Sequence, residues 1–206
     1  MADASSSPGL GVRGGDPWAQ PVLTGASLAD LFTLYGRILD ELSSREVIRS
    51  RNQPLGDYSE WLVCRALRGL LADNKSEKAF DVVADLGATL LDGRGPHDGA
   101  HQGAQIQVKA RAISAQPKRD QLQTSPFHAG GFDYLALVLH RAFDFHVEQA
   151  VLMPVSAVHL YARTATARRD DVLRLWMTQQ AMTDPSTIEI TGLLRSAAET
   201  EIDLIS

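Results

Sequence analysis

The sequence lacks the features that mark several common classes of protein. A single cysteine, Cys64, stands among 206 residues, so no intramolecular disulfide can form, and we expect a protein of the reducing cytoplasm. No apolar run approaches the roughly 20 residues that span a bilayer, so no membrane partner is expected. The first residues show no basic segment followed by an apolar one, as a signal peptide requires. Phosphate-binding loops and dinucleotide-binding glycine patterns are also missing.

An excess of positive charge is missing as well. The formal net charge is -5 and the isoelectric point is about 5.6, which argues against adhesion to nucleic acid through overall charge alone. Local basic clusters are present, and ordinary solvated surface is the alternative explanation for each of them. They comprise Arg45, Arg49 and Arg51; Lys109, Arg111, Lys118 and Arg119; and Arg163, Arg168 and Arg169.

The composition favours one globular domain with an arm. Hydrophobic residues make up 44% of the chain, enough for a sizeable core. Residues 1–24 are rich in glycine, serine, alanine and proline and lack periodicity, which predicts a flexible N-terminal arm. We therefore expect residues 25–206 to form a single α/β domain.

Hydrophobic periodicity predicts helices first and strands later in the chain. A first amphipathic helix should run from near Ser27 to Ser43 or Ser44, and a second from about Asp57 to Leu71, after a chain break at residues 52–56. Strands are expected at residues 80–84, 89–91, 105–112, 133–139 and 146–153, with a loop at 92–99, a turn at 141–144 and a short helix beginning at Pro154. The almost wholly apolar segment 133–139 is typical of a central strand, so a mixed sheet flanked by helices is predicted.

One lysine interrupts an apolar strand pattern. Lys109 lies within the segment Ile106–Arg111, where a buried ammonium group is costly unless it is paired. Gln107 shares its strand face, because residues two apart point the same way. Asp81, at the start of an earlier apolar run, can add a carboxylate if the two strands pair. An acid, an amide and a lysine on one face form a site for a hard cation and a phosphate.

These residues resemble the PD-(D/E)XK, or restriction-endonuclease-like, nuclease superfamily. The matching residues are Asp81 and Gln107-Val108-Lys109, with Glu60 on a preceding helix. The segments Arg51–Trp61, Gln107–Arg111 and Phe132–Tyr134 look like a group of small, poorly characterised bacterial proteins in that superfamily. The resemblance implies a restriction-endonuclease-like mixed sheet flanked by helices, and a Mg²⁺- or Mn²⁺-dependent endonuclease that hydrolyses DNA.

The resemblance also implies a role for each residue of the site. Asp81 would be the central metal ligand, with the Val108 carbonyl, Gln107 and Glu60 as further ligands, and Lys109 would orient water or stabilise charge. Gln107 stands where the family more often has an acid, so it brings no charge to the metal. The nucleic-acid contacts that we expect are Arg49, Arg51, Gln105, Arg111, Lys118 and Arg119.

Simpler interpretations compete with these roles. Glu60 and Asp57 could form a helix capping box, Asp81 could pair with Arg111, and Lys109 could extend from a sheet edge. Asp85 is the reserve metal ligand, although it lies about 13 Å along the strand from Asp81. The alternative function is a catalytically inactive nuclease-fold module that binds nucleic acid or a protein partner. A homodimer that buries the first helix is a further alternative.

Overall fold

The computed structural model describes residue 23 and residues 28–49, 54–72, 79–90, 103–142, 144–166 and 169–200. Several predicted features lie outside these ranges: the arm at residues 1–24 apart from Leu23, the helix start at Ser27, the loop at 92–99, and the side chains of Arg51 and Arg168.

The described chain alternates helices with short and long strands. The α-helices are α1 (Leu28–Ser44), α2 (Pro54–Ala66), α3 (Leu86–Leu90), α4 (Val155–Tyr161), α5 (Gln179–Met182) and α6 (Thr191–Glu199), with a 3₁₀ helix at Arg119–Leu122. The strands are β1 (Leu70–Leu71), β2 (Val82–Ala84), β3 (Ala104–Ile113), β4 (Phe127–His128), β5 (Tyr134–Arg141), β6 (Val147–Pro154), β7 (Arg163–Thr166), β8 (Arg169–Arg174) and β9 (Ile188–Glu189).

The strands form a large mixed sheet and a small antiparallel one. In the six-stranded sheet the order is β1-β2-β3-β5-β6-β9, and β3 pairs with β5 in parallel while the other neighbours are antiparallel. The small sheet has the order β4-β8-β7. The predicted α/β class with a mixed sheet flanked by helices is therefore confirmed.

The central strand β5 separates two apolar cores. Its side chains alternate across the sheet, so Ala136 and Val138 join one core while Leu135, Leu137 and Leu139 join the other. Helices α1, α2 and α6 cover the first core, and α4, α5 and the inner side of β8 cover the second. The prediction of a strand buried on both faces is confirmed.

Two predicted element boundaries are wrong. Helix α2 begins at Pro54 rather than Asp57, because proline suits the first helical turn, where its missing N–H costs little. It ends before Leu71, because Arg68 adopts a left-handed conformation (φ 51°) and a Cβ at Gly69 would lie 2.6 Å from the Val83 carbonyl oxygen. Gly69 thus lets β1 approach β2.

The segment predicted as a strand at residues 89–91 is also corrected. Residues 86–90 form the short helix α3. Leu86 and Leu90 are four residues apart, which is a helical spacing, and Leu86 is fully buried in the first core. Apolar content alone could not distinguish a short buried helix from a strand here.

A buried histidine joins β5 to α2. His140 is fully buried, its Nδ1–H donates to the Phe145 carbonyl at 2.7 Å, and its Nε2 lies 2.8 Å from the Ser59 hydroxyl. Burial lowers the pKa of His140 below its ordinary value of 6.5, although the Phe145 carbonyl opposes the change. The neutral ring is therefore the form that the folded protein favours.

We expect stability to fall as the pH drops below 6.5, because the unfolded chain then protonates His140 while the folded chain does not. The free energy of unfolding should fall by at most about 1.4 kcal/mol per pH unit because of this group. The fall ends once the pH is below the pKa of His140 in the folded protein. Urea unfolding from pH 7.5 to 5 would measure it. His140→Gln should flatten the slope, whereas His159→Gln, at an exposed position on α4, should not. An unchanged slope in His140→Gln would contradict the assignment.

Candidate functional site

Strand β3 carries the candidate site on one face. Ile106 and Val108 pack into the first core, so Gln105, Gln107, Lys109 and Arg111 point to the opposite side by alternation. In the parallel pairing, Gln107 lies beside Leu135 and Lys109 beside Leu137, which places them at the border of the second core. The register therefore places Gln107 and Lys109 on one face of β3, as the sequence predicts.

Asp81 lies directly before β2 and meets this face. Its backbone N–H donates to the Ile106 carbonyl at 2.9 Å, which holds Asp81 beside β3 immediately before the paired residues of β2. One carboxylate oxygen, Oδ2, accepts hydrogen bonds from the Val108 backbone N–H at 2.7 Å and from the Gln107 side-chain amide. The structure therefore brings together three of the residues predicted for the site, two from β3 and one from the position directly before β2.

The Val108 carbonyl faces the same side as Asp81. Within a strand, the N–H and C=O of residues two apart point the same way, and both the Ile106 carbonyl and the Val108 N–H bond to Asp81. Strand β2 begins at Val82, so the Val108 carbonyl points past the beginning of the strand. A backbone oxygen thus lies on the same side of β3 as the Asp81 carboxylate.

Lys109 is held in a partly buried, acidic environment. Burial lowers the pKa of Lys109, and the carboxylates of Asp81 and then Glu60 oppose that effect. Both acids therefore act on the ammonium group. Strand β2 pairs only with residues 104–106 of β3, so at Lys109 the described partner strand is β5 alone, and the alternative of a lysine at a sheet edge stands.

Glu60 reaches the site from α2 but is already ion-paired. Its carboxylate accepts a hydrogen bond from the Arg49 guanidinium, which also donates to the Ala72 carbonyl at 3.0 Å. The capping-box alternative fails, because α2 begins at Pro54 and the buried Asp57 instead accepts the Arg49 backbone N–H at 2.7 Å. Asp57 thus positions the Arg49–Glu60 pair, a role that no local spacing in the sequence indicates.

The expected nucleic-acid contacts fall into different environments. Arg49 is engaged with Glu60, and Arg111 donates to the carbonyls of Gln121 and Asp120, at 3.2 Å and 3.4 Å, rather than to Asp81. Gln105 and Asp133 are joined through the Gln105 N–H and an Asp133 carboxylate oxygen, 2.8 Å apart. Of the remaining three, Lys118 is exposed, Arg119 lies over the Trp176 ring at 5.2 Å, and Arg51 is outside the described residues.

The donor atoms at the site are oxygens suited to a hard cation. The described residues contain no cluster of three or more histidine, cysteine, aspartate or glutamate side chains that could hold a metal ion. The set at β3 consists instead of the Asp81 carboxylate, the Val108 carbonyl, the Gln107 amide and, more remotely, Glu60. Mg²⁺ prefers oxygen ligands and often takes only one or two carboxylates, and here the Gln107 amide turns its N–H rather than its oxygen toward Asp81.

Comparisons with known proteins give no family assignment. No protein-family model matches the chain, and no curated protein is significantly similar to it. Among the described residues, no helix is both long and apolar enough to cross a membrane. The candidate site therefore rests on its own geometry.

Proposed function

We propose that this chain is a Mg²⁺- or Mn²⁺-dependent nuclease-like protein that hydrolyses phosphodiester bonds in DNA, built on a restriction-endonuclease-like fold. The observation that carries the proposal is the meeting of Asp81, Gln107 and the Val108 backbone near Lys109, next to the beginning of β2. The mixed sheet with α2 packed on the first-core face of β3 is consistent with the fold assignment, and Glu60 of α2 lies near enough to act electrostatically on the Lys109 ammonium group.

Each residue has a task in this reaction. A bound divalent cation would lower the pKa of a water ligand and offset charge on the phosphate. Asp81 would hold the cation through a carboxylate oxygen, and the Val108 carbonyl would add a neutral ligand. Lys109, as an ammonium ion next to two carboxylates, would bind a non-bridging phosphate oxygen and orient the attacking water. Rotation of the Gln107 amide would present its oxygen in place of the N–H that now faces Asp81.

A second function is favoured by a separate observation. The Gln107 amide donates to Asp81, and Glu60 is paired with Arg49, so both carboxylates already have partners without a cation. A site satisfied in this way suits a catalytically inactive nuclease-fold module that binds nucleic acid or a protein partner. The two functions differ in whether the protein cleaves DNA when Mn²⁺ is supplied.

Asp81→Asn is expected to abolish both metal binding and cleavage. Calorimetry with Mn²⁺ should show binding to the wild type that is lost in the variant, and cleavage of duplex and single-stranded DNA should fall at least about 100-fold. Asp85→Asn is the matched control, because Asp85 is exposed and four residues away. Equal loss in both variants would argue against a specific role for Asp81. Wild-type protein that binds neither ion and cleaves nothing would favour the inactive module.

A further inference from the structure

The small sheet presents a second group of cationic side chains. On β8 and its continuation, Leu173, Leu175 and Met177 are buried in the second core, so Arg174 and Trp176 lie on the opposite, outer face. Arg163 of β7 is paired directly with Arg174 and shares that face, and Arg119 stacks over Trp176. We call Arg119, Arg163, Arg174 and Trp176 the arginine face.

The charges of the arginine face are not balanced within the described part of the chain. Arg163 and Arg174 form no ion pair with a described residue, although like charges directly opposite each other on paired strands are destabilising. Among the described residues, Arg163 donates to the carbonyls of Leu160 and Ala162. Asp171 lies three residues before Arg174, so by alternation it points to the other face, and its carboxylate is 3.2 Å from His128.

Arg174 has an unmet hydrogen bond. Its Nε is buried and has no acceptor among the described residues. A buried donor without a partner costs about 1–3 kcal/mol. A phosphate bound at the two guanidinium groups would offset the repulsion between Arg163 and Arg174, and a shift of the Arg174 side chain would let it also accept from the buried Nε–H.

The arginine face is joined to the candidate site by hydrogen bonds. Arg111, two residues beyond Lys109 on the same face of β3, holds the 3₁₀ helix that carries Arg119. The end of that helix and the residues after it bond to the segment that follows β8, through Met177 N–H to the Leu122 carbonyl and Thr124 N–H to the Leu175 carbonyl, both at 2.9 Å. These hydrogen bonds link the strand of Lys109, through Arg111 and the helix of Arg119, to the strands that carry Arg174 and Arg163.

We propose that the arginine face binds the phosphodiester backbone of a DNA strand that extends from the candidate site. This inference rests on the proposed function, since it takes the same substrate. DNA is the occupant because a polyanion with regularly spaced phosphates satisfies several cations at once, and because hydrogen bonds link the arginine face to the strand of the proposed phosphate site. Because the protein as a whole is acidic, we expect DNA to bind at this basic surface and not elsewhere on the protein.

Binding of a fluorescently labelled DNA duplex, measured by anisotropy without divalent metal at several salt concentrations, tests the inference. The double variant Arg163→Gln/Arg174→Gln should weaken binding at least about 10-fold and reduce the salt slope by about 2. Arg37→Gln is the matched control, because it removes one charge at an exposed position of α1, which packs on the other core. Should the double variant not fold, the exposed Arg163→Gln alone should reduce the slope by about 1.

The outcomes separate this inference from the proposed hydrolysis. Equal weakening by Arg37→Gln, or no binding of DNA by the wild type at low salt, would overturn the arginine face. Binding that depends on the arginine face, in a protein that cleaves nothing with Mn²⁺, would overturn hydrolysis and leave the binding surface standing. Unaltered DNA binding in the double variant, together with cleavage that still depends on Asp81, would overturn the arginine face and leave the proposed hydrolysis standing.

Discussion

Replacing Lys109 with methionine is expected to stabilise the protein while it reduces metal-dependent DNA cleavage at least about 100-fold. Burial is the dominant effect on the pKa of Lys109 and outweighs the attraction of Asp81 and Glu60. The folded environment therefore disfavours the ammonium ion, and each unit by which the pKa is lowered corresponds to about 1.4 kcal/mol. Methionine has a similar length and no charge to desolvate, so it removes that cost. Urea unfolding and a DNA cleavage assay with Mn²⁺ would measure the two effects.

The stability gain should depend on pH in one direction. Because the pKa of Lys109 is lower in the folded than in the unfolded protein, the cost is fully present below the folded-state pKa. It diminishes as the pH rises from there toward the ordinary value of 10.5. The difference between Lys109→Met and wild type should therefore be largest at neutral pH and shrink in alkali. Lys118→Met, at an exposed position, should change stability by less than about 0.5 kcal/mol.

A destabilised Lys109→Met would contradict this account. It would mean that Lys109 serves mainly as the counter-ion of Asp81 and Glu60, and that the site is a structural ion-pair network. A stabilised variant that cleaves as fast as the wild type would instead leave Lys109 without a part in the reaction. A Lys109→Met variant that is more stable but less active than the wild type would distinguish a functional lysine from both of these alternatives.

The long, strongly patterned strands could be predicted from the sequence. Strand β3 was expected at residues 105–112 and spans Ala104–Ile113, and β6 was expected at 146–153 and spans Val147–Pro154. Their apolar alternation and length leave few competing structures. The face shared by Gln107 and Lys109 follows from strand geometry alone, which is why this part of the site could be predicted.

The remaining features depend on contacts between distant segments. The end of α2 is set by the approach of Gly69 to Val83, and nothing near Gly69 in the sequence indicates that contact. The partner of Glu60 could not be predicted, because Arg49 is placed by the buried Asp57 and by the Ala72 carbonyl. The outer position of Arg174 likewise follows only once β8 is paired with β4 and β7.

Gln107→Glu is expected to turn the site into one that requires a divalent cation for full stability. The variant replaces the amide that donates to Asp81 with a second carboxylate. Without metal, the loss of that hydrogen bond and the repulsion between the two carboxylates should destabilise the fold by about 1–3 kcal/mol. With Mg²⁺ at 100 times its dissociation constant, binding to the folded state should restore about 2.7 kcal/mol.

Thermal unfolding of Gln107→Glu with and without Mg²⁺, together with calorimetry, would measure this dependence. We expect the affinity for Mg²⁺ to rise at least about 10-fold over wild type, because the added charge lies beside the Asp81 carboxylate. Gln105→Glu makes the same change of charge two residues away on the same strand face, where it pairs with Val83 rather than lying opposite Asp81. If both variants respond to Mg²⁺ alike, general negative charge explains the effect and the cation does not bind between residues 81 and 107. If only Gln107→Glu responds, and DNA cleavage with Mg²⁺ rises with it, the amide of Gln107 is what limits the wild-type site.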